Sequence, residues 1–363
     1  MLLRIFRAIT VASCLVFSAI AHAEDSHAGY ATVNQWATIL WHQDANGTDI
    51  AGTKVERENL PGFVHRAYVG ANQTRTYAQD FTASLERANT YFHPPAATTQ
   101  PLVLDVEASF QRGLLDAYYP YAIQPGEAAK SGNGDRTVTK ENDSLIQWKG
   151  VRVGDQADTL VTTSSAWQAA RAVGSAATLK VYKPSPAGSK SDDEGTTEGD
   201  VFLFYSGAGA IPSPISVTSK SSVLHVALRD ATIPLSVSSA WLLSVRQDGM
   251  AAFRHLGQLD NRTSSSIEVA SDFASGSYSA LGSDELQAQL REALNAEGLP
   301  DDEAAAMLAS LNSRFSEAGQ RVLFLLPQSW TDAALPLQVR GPGQVAHRIM
   351  LGRIELATNE TAR

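Results

Sequence analysis

Most apolar residues of the chain alternate with polar ones, which is the period-two pattern of half-buried β-strands. In residues 102–110 every even position is apolar, whereas Asp105, Glu107 and Ser109 fall on the opposite face. The segment 223–229 repeats the alternation. These patterns predict a mainly β (α+β) protein with β-sandwich-like sheets, each with one buried and one wet face.

Two short polar pairs predict tight turns between strands. Asp248-Gly249 separates the apolar segments 241–246 and 251–256, and Asn46-Gly47 follows the apolar segment 36–42. Glycine after Asn or Asp favours a two-residue hairpin because that turn needs positive φ. We therefore expect a hairpin at each place.

A helical period appears in one region near the C-terminus. Ser283 predicts the N-cap of a helix that ends before Gly298 and Pro300, and a second helix begins at Asp301. The short connection predicts one antiparallel helical hairpin over residues 283–319, packed against the sheet. The alternative function of the apolar stripes is a helix-in-groove interaction with a partner protein.

The first 23 residues have the pattern of a secretory signal peptide. Arg4 and Arg7 precede the uncharged apolar stretch 8–20, and a small-x-small motif ends at Ala23, where we expect cleavage. A lipoprotein signal at Cys14 is the less favoured alternative, because the apolar core before Cys14 is too short. The mature protein is expected to be soluble and exported to the periplasm or the medium.

Composition narrows the classes of function. Cys14 is the single cysteine, so the predicted mature chain has no disulfide and no cysteine nucleophile. Loss of the two leader arginines takes the formal net charge from −9 to −11, which disfavours nucleic acid as a partner. No apolar run after the leader is long enough for a transmembrane segment.

The predicted organisation has five parts. They are a signal peptide (1–23), an N-terminal β region (24–84), a β body (85–182), an acidic polar loop or linker (183–200) and a second β body with the helical hairpin (201–363). Whether the two β bodies form one unit or two domains stays open.

The segment "VFLFYSGAGAIPSP" (201–214) resembles a phosphate-binding loop at first sight. Gly207 and Gly209 fill two positions of the dinucleotide motif, but Pro212 occupies the third and a strand pattern follows. Without a helix N-terminus no free amides face a phosphate. We therefore predict a buried strand over 201–205, then a turn of small residues, and no cofactor.

The histidines do not predict a metal site, because no two of them have a spacing that one helix or hairpin brings together. After the leader they are His27, His42, His65, His93, His225, His255 and His347.

Hydrolytic chemistry has one weak indication. Asp105 and Glu107 share a strand face, so their side chains lie roughly 7 Å apart, a separation compatible with acid/base cleavage of a glycoside. An ordinary solvated strand face also explains them and is the favoured interpretation. The segment 276–279 fails the spacing of a serine-hydrolase elbow, and a triad assembled from distant strands stays open.

A tyrosine cluster is the most suggestive surface feature. Tyr118, Tyr119 and Tyr121 flank Pro120 directly after a strong strand pattern. Clustered tyrosines stack on sugars or anchor protein partners, so a glycan or an envelope protein is the candidate partner. The favoured interpretation is that the tyrosines close the end of a β-sandwich.

Several segments resemble a family of uncharacterised exported bacterial proteins, over residues 85–358. They read TYFH, QRGLLDAYYPYA, LIQWKGVRV, SSAWQAAR, VFLFYSGAGAIP and EAGQRVLFLLPQSWTDAALPLQV. Many members carry Glu-Thr-Pro-Val ahead of a Tyr-Phe-Tyr-like strand, whereas residues 86–93 here read ERANTYFH and lack Thr-Pro-Val. The resemblance implies bacterial export and no known activity, cofactor or catalytic residue.

Two functional hypotheses follow. The first is a non-enzymatic binding or scaffolding module of the cell envelope, with the tyrosine cluster as one contact surface. The second is a hydrolase of an envelope or extracellular polymer, using Asp105, Glu107 or a serine site.

Overall fold

The computed structural model describes residues 29–52, 60–66, 81–124, 144–185, 195–229, 235–262, 264–280 and 282–356. Within these ranges the fold is mainly β, as predicted. The predicted leader and Cys14 lie outside the described residues, so the signal peptide stays a prediction.

The described residues form four α-helices and seventeen strands. The helices are α1 Ser165–Arg171, α2 Gly282–Ala296, α3 Asp301–Phe315 and α4 Gln328–Ala334, with a 3-10 turn at Ser275–Ser277. The strands are β1 Ala31–Gln43, β2 His65–Arg66, β3 Ala83–His93, β4 Leu102–Phe110, β5 Gly113–Tyr119, β6 Ser144–Val153, β7 Leu179–Lys183, β8 Thr196–Asp200, β9 Phe202–Gly209, β10 Ile215–Lys220, β11 Val223–Leu228, β12 Ser236–Val245, β13 Ala251–Asp260, β14 Ser266–Ala270, β15 Gly319–Leu326, β16 Leu337–Arg340 and β17 Gly343–Leu356.

Three sheets organise the chain. The largest has nine strands in the order β13-β12-β15-β17-β1-β3-β9-β5-β2, and it takes strands from both ends of the sequence. A five-stranded sheet has the order β16-β4-β6-β7-β8, and a three-stranded sheet has the order β10-β11-β14. In the described part of the chain, none of the helices combines the length and the apolar character needed to cross a bilayer.

The nine-stranded sheet is buried on both faces, so its central strand has little polar alternation. Along β1, Val33 and Ile39 face a core shared with the two small sheets. Trp36 points the other way, into a core shared with α1, α2 and α3. The molecule is therefore layered as small sheets, large sheet and helices.

The predicted helical hairpin is confirmed as α2 and α3. Leu286, Leu290 and Leu294 of α2 are buried, so its apolar stripe packs inward as the period indicates. Sequence reasoning missed α1 and α4, which have seven residues each and are too short to display a period.

The strand predictions are confirmed where one face of the strand is exposed to solvent. In β4, Leu104 and Val106 are buried. The hairpin at Asp248-Gly249 is confirmed, since β12 and β13 pair antiparallel across it. At Asn46-Gly47 the predicted hairpin is reduced to a single antiparallel bridge between Gln43 and Asp49. The reason is that the two edges of β1 are hydrogen-bonded to β17 and β3.

The glycines of the 201–214 segment lie within a strand rather than in the predicted turn. β9 runs from Phe202 through Gly209 and pairs with β3 and β5. A Cβ atom on Gly207 would collide with the carbonyl oxygen of Leu114 in β5. The small residues therefore serve close strand packing.

The predicted loop 183–200 has strands at both ends. Lys183 ends β7, and Thr196–Asp200 form β8, which pairs with β7 along its whole length. Residues 186–194 lie outside the described part.

Candidate functional site

A cavity of about 790 Å³ opens on the helix-covered side of the large sheet. Four pieces of the chain form its wall: the segment 60–62, Glu86 and Arg87 of β3, the segment 161–166 that leads into α1, and one face of α3. Its volume falls in the usual range for sites that hold small ligands, about 300–1,000 Å³.

A β-bulge places two charged residues in this wall. The register of β3 against β9 shifts between Leu85 and Ala88, and Arg87 has a left-handed φ of 50°. A bulge inserts an extra residue and redirects the side chains beside it. As a result Glu86 and Arg87 line the cavity while both residues are buried.

Arg87 is an unusually enclosed cation. It is 3% exposed, and burial, aided by the positive charge of Arg314, lowers the pKa of its guanidinium to about 9 despite an opposing effect of Tyr91. The group still carries its charge at neutral pH. Burying an arginine costs free energy unless charged or polar groups contact its guanidinium.

Arg314 is the second cation of the cavity, and an ionic network orients it. Its Nη1 atom lies 3.0 Å from Glu317 and its Nη2 atom lies 3.8 Å from Glu86. Glu317 also accepts a 2.8 Å hydrogen bond from Arg353 of β17. The end of α3 is further fixed by Arg321, whose guanidinium donates to the Arg314 and Glu317 carbonyl oxygens at 2.8 Å.

Hydroxyl groups make up much of the remaining wall. They belong to Thr162, Thr163, Ser164, Ser165 and Ser310. Ser164 caps α1 by accepting from the Trp167 amide at 3.3 Å, and Ser310 donates to the Met307 carbonyl at 2.7 Å. Apolar patches complete the lining at Leu60, Pro61, Val161 and Leu311.

A buried carboxylate fixes α1, and with it the hydroxyl-bearing segment. Asp200 has no solvent exposure and accepts hydrogen bonds from Arg171 at 2.6 to 3.1 Å. It also accepts from the indole nitrogen of Trp167 at 3.1 Å. The bonds from Trp167 and Arg171 come from one face of α1, so they hold this short helix against β8 and β9.

The predicted tyrosine cluster is mostly interior. Tyr118 is 9% exposed and Tyr119 is 1% exposed, whereas Tyr121 is partly exposed. The His65 ring stacks on Tyr118 at 5.4 Å and meets Tyr121 edge-on at 6.0 Å. Of the three tyrosines, only Tyr121 therefore offers substantial surface to a partner.

Glu198 ties this aromatic cluster together. Its Oε2 atom lies 2.6 Å from the Nε2 atom of His65 and accepts from the Tyr121 amide at 2.8 Å. Its Oε1 atom accepts from Lys183 at 2.9 Å. Burial acts to raise the pKa of Glu198, but the His65 and Lys183 contacts outweigh it and lower the pKa. These contacts indicate a structural role for the cluster, because Glu198 links His65, Tyr121 and Lys183.

Asp105 and Glu107 lie together on the outer face of the five-stranded sheet. Asp105 accepts from the Gly150 amide at 2.8 Å and from Lys149 at 3.1 Å. The Gly150 bond leads the contacts that lower the pKa of Asp105. Glu107 accepts from Gln147 at 2.6 Å. Both carboxylates have cross-strand partners, and neither lines the cavity.

Sequence reasoning missed Glu86, Arg87 and Arg314. The first two stand in the segment 86–93, and no motif in the sequence singled them out. Among the described residues, no three His, Cys, Asp or Glu side chains are grouped as a metal ion requires.

Comparisons with known proteins add little. No model of a protein family and no curated protein matches the chain. Among solved structures, the yeast delta-COP-I mu-homology domain is similar at 9% identity, covering 90% of this chain and 96% of that chain, with a TM-score of 0.27. A TM-score this low supports no argument about fold or function.

Proposed function

We propose that the protein is an exported, non-enzymatic binding protein of the cell envelope, and that its cavity holds a hydroxyl-rich small molecule or one end of a saccharide chain. The observation that carries this proposal is the cavity of about 790 Å³ with its mixed wall of charges, hydroxyls and apolar patches. The leader-like residues 1–23 support export.

The wall matches the chemistry of sugars. A sugar ring presents hydroxyls that donate and accept, and an apolar face of C–H groups. Ser and Thr hydroxyls can serve both roles, and Glu86 and Arg314 supply an acceptor and donors. Leu60, Pro61 and Leu311 offer the apolar contacts.

The same wall favours binding over hydrolysis. Glycoside cleavage commonly uses two carboxyl groups across the scissile bond. The cavity-lining residues that the structure describes include one carboxylate, Glu86. Asp105 and Glu107 lie on the far sheet, where Lys149 and Gln147 engage them.

Gly62 provides the sharpest test of the cavity. It lines the cavity, and a Cβ atom built on it meets no heavy atom within 4 Å. Gly62→Trp should therefore obstruct the cavity without disturbing the fold. Gly174→Trp is the matched control, because Gly174 has equally open space and lies outside the lining.

Calorimetric titration with neutral and acidic saccharides gives the readout, with thermal unfolding as a check on folding. We expect the unmodified protein and Gly174→Trp to bind the same saccharides, and Gly62→Trp to lose binding while it keeps its melting temperature. Equal binding by both variants would place the ligand elsewhere. Release of reducing ends from a bound saccharide would favour the hydrolase alternative.

A further inference from the structure

We infer that the ligand is an amphiphile, a saccharide that carries an alkyl or acyl chain. Its saccharide part lies in the cavity, and its chain lies on Leu160 and Val161 at the rim. This inference rests on the proposed function and specifies its ligand class.

Leu160 and Val161 form an exposed aliphatic pair at the cavity rim. Val161 lines the cavity, yet its exposed fraction of 95% is the largest among the large apolar residues that the structure describes. Leu160, the preceding residue, is 46% exposed. Single exposed aliphatic residues are common on protein surfaces, but two neighbours at the mouth of a cavity form a patch that a ligand can cover.

Hydrogen bonds from α1 fix the backbone on both sides of Val161. Arg171 donates to the Leu160 carbonyl oxygen at 2.6 Å, and the side-chain amide of Gln168 donates to the Thr162 carbonyl oxygen at 2.9 Å. The buried carboxylate that anchors α1 also holds Arg171. The aliphatic pair therefore has a defined place beside the cavity, and this preorganisation lowers the entropy cost of binding.

The segment changes from aliphatic to hydroxyl-bearing within six residues. Leu160 and Val161 are followed by residues 162–165, which read Thr-Thr-Ser-Ser and line the cavity. A molecule that lies along the segment thus meets hydrogen-bonding groups at one end and aliphatic groups at the other. A saccharide joined to a hydrocarbon chain has the same order of chemistry.

The charge around the pair favours a single amphiphile over a membrane surface. Residues 153–170 include Asp155 and Asp158 and no lysine or arginine. Proteins that lie on anionic membranes usually combine exposed apolar residues with basic ones. A neutral amphiphile in solution needs no basic residues, so this occupant fits the segment better.

Calorimetry with matched glycosides tests the inference on the purified protein. Methyl and octyl β-glycosides of glucose, galactose and maltose are compared, with the octyl glycosides kept below their micelle-forming concentrations. Each pair shares its sugar and differs only in the alkyl chain. We expect an octyl glycoside to bind at least about tenfold more tightly than its methyl partner, because burial of about two methylene groups is sufficient for that difference.

Leu160→Ser with Val161→Ser removes the aliphatic pair. Both side chains are exposed, so this double variant should keep its melting temperature, and its octyl-to-methyl affinity ratio should fall to about one. Val223→Ser should keep the ratio and is the control, since Val223 is 43% exposed on β11 and lies outside the lining. Gly62→Trp should weaken the binding of methyl and octyl glycosides alike.

Phosphatidylcholine vesicles distinguish a free amphiphile from a membrane surface. The unmodified protein should stay in solution when plain vesicles are sedimented. Sedimentation with plain vesicles that is lost in the Leu160 and Val161 double variant would show that the pair contacts a bilayer, and it would overturn the inference.

The remaining outcomes separate the two proposals. If methyl and octyl glycosides bind equally, or if the double variant keeps the octyl preference, the amphiphile assignment is overturned and the binding function stands. The same conclusion holds if free saccharides bind but the glycosides do not. If neither free saccharides nor glycosides bind, the proposed function fails as well.

Discussion

The Nε2 atom of His93 lies 2.9 Å from the Oε1 atom of Glu303, whose side chain has no solvent exposure. The same Oε1 atom accepts a 2.7 Å hydrogen bond from Asn34 of β1. His93 ends β3 and Glu303 stands in the first turn of α3, so this contact fastens the helix to the sheet.

The His93–Glu303 contact makes stability depend on pH. Burial alone would lower the pKa of His93, but Glu303, with smaller effects of Ser175 and Asp302, raises it above its ordinary value of 6.5. A raised pKa in the folded state stabilises the protein below the unfolded value, and this contribution is lost as the pH rises through the folded pKa. We expect urea unfolding to show this contribution in full below about pH 6.5 and to lose it as the pH rises above that value.

His93→Gln is the control for this prediction. Glutamine can still donate to Glu303 but does not titrate, so the loss of stability across this pH range should be smaller than in the unmodified protein. His93→Ala should cost about 2 kcal/mol at low pH, because it removes a charged hydrogen bond to a buried carboxylate. An identical pH profile for the unmodified protein and His93→Gln would contradict the prediction.

Asp200 should be far more sensitive to substitution than an exposed acid. Asp200→Asn breaks the paired contact with Arg171 and should destabilise the protein by about 3 kcal/mol in chemical denaturation. Asp155 is the matched control, since its partner Arg152 is 53% exposed. Asp155→Asn should have little effect. Equal effects of the two substitutions would show that Asp200 does not anchor α1.

Gly207→Ala should destabilise the protein by about 2 kcal/mol, because the added methyl group meets the Leu114 carbonyl of the neighbouring strand. Gly276 is the control, since a Cβ atom there contacts nothing within 4 Å. Thermal unfolding of Gly207→Ala and Gly276→Ala measures the difference. A Gly207→Ala variant as stable as Gly276→Ala would remove the close-packing explanation for these glycines.

Substitution of the predicted carboxylates should leave ligand binding intact. Asp105→Asn with Glu107→Gln alters the outer face of the five-stranded sheet, away from the cavity lining. We expect the double variant to bind the same saccharides as the unmodified protein, with unchanged affinity by calorimetry. A loss of binding in this variant would favour the strand face as the site.

The sequence predicted those elements whose pattern is local. β4 alternates because one of its faces is wet, and Asp105 and Glu107 mark that face. The α2–α3 hairpin has two helices of fifteen residues each, long enough to show a helical period, and the turn at Gly298-Leu299-Pro300 separates them.

Local sequence patterns cannot predict which distant strands of the chain pair with each other. β1 pairs in parallel with β17, joining Ala31 to Gly343, and no periodicity within either segment encodes that choice. The tyrosine cluster shows the same limit. Its composition suggests a binding surface, yet Tyr119 is enclosed by Phe63 and Trp167 from other elements.

The cavity could not be predicted from the sequence for a related reason. Arg87 lies inside a strand. A pattern of apolar and polar residues does not reveal a β-bulge that places a charged residue in a cavity wall. Arg314 reads in the sequence as an ordinary charged residue at a helix end. Only the approach of α3 to β3 brings the two arginines together.

A crystal structure of the protein with a bound saccharide tests the central claim most directly. The account predicts the sugar in the cavity, with its hydroxyls against the segment 161–166 and an apolar ring face against Leu60, Pro61 or Leu311. A sugar bound at Tyr121 or on the Asp105 face would contradict it.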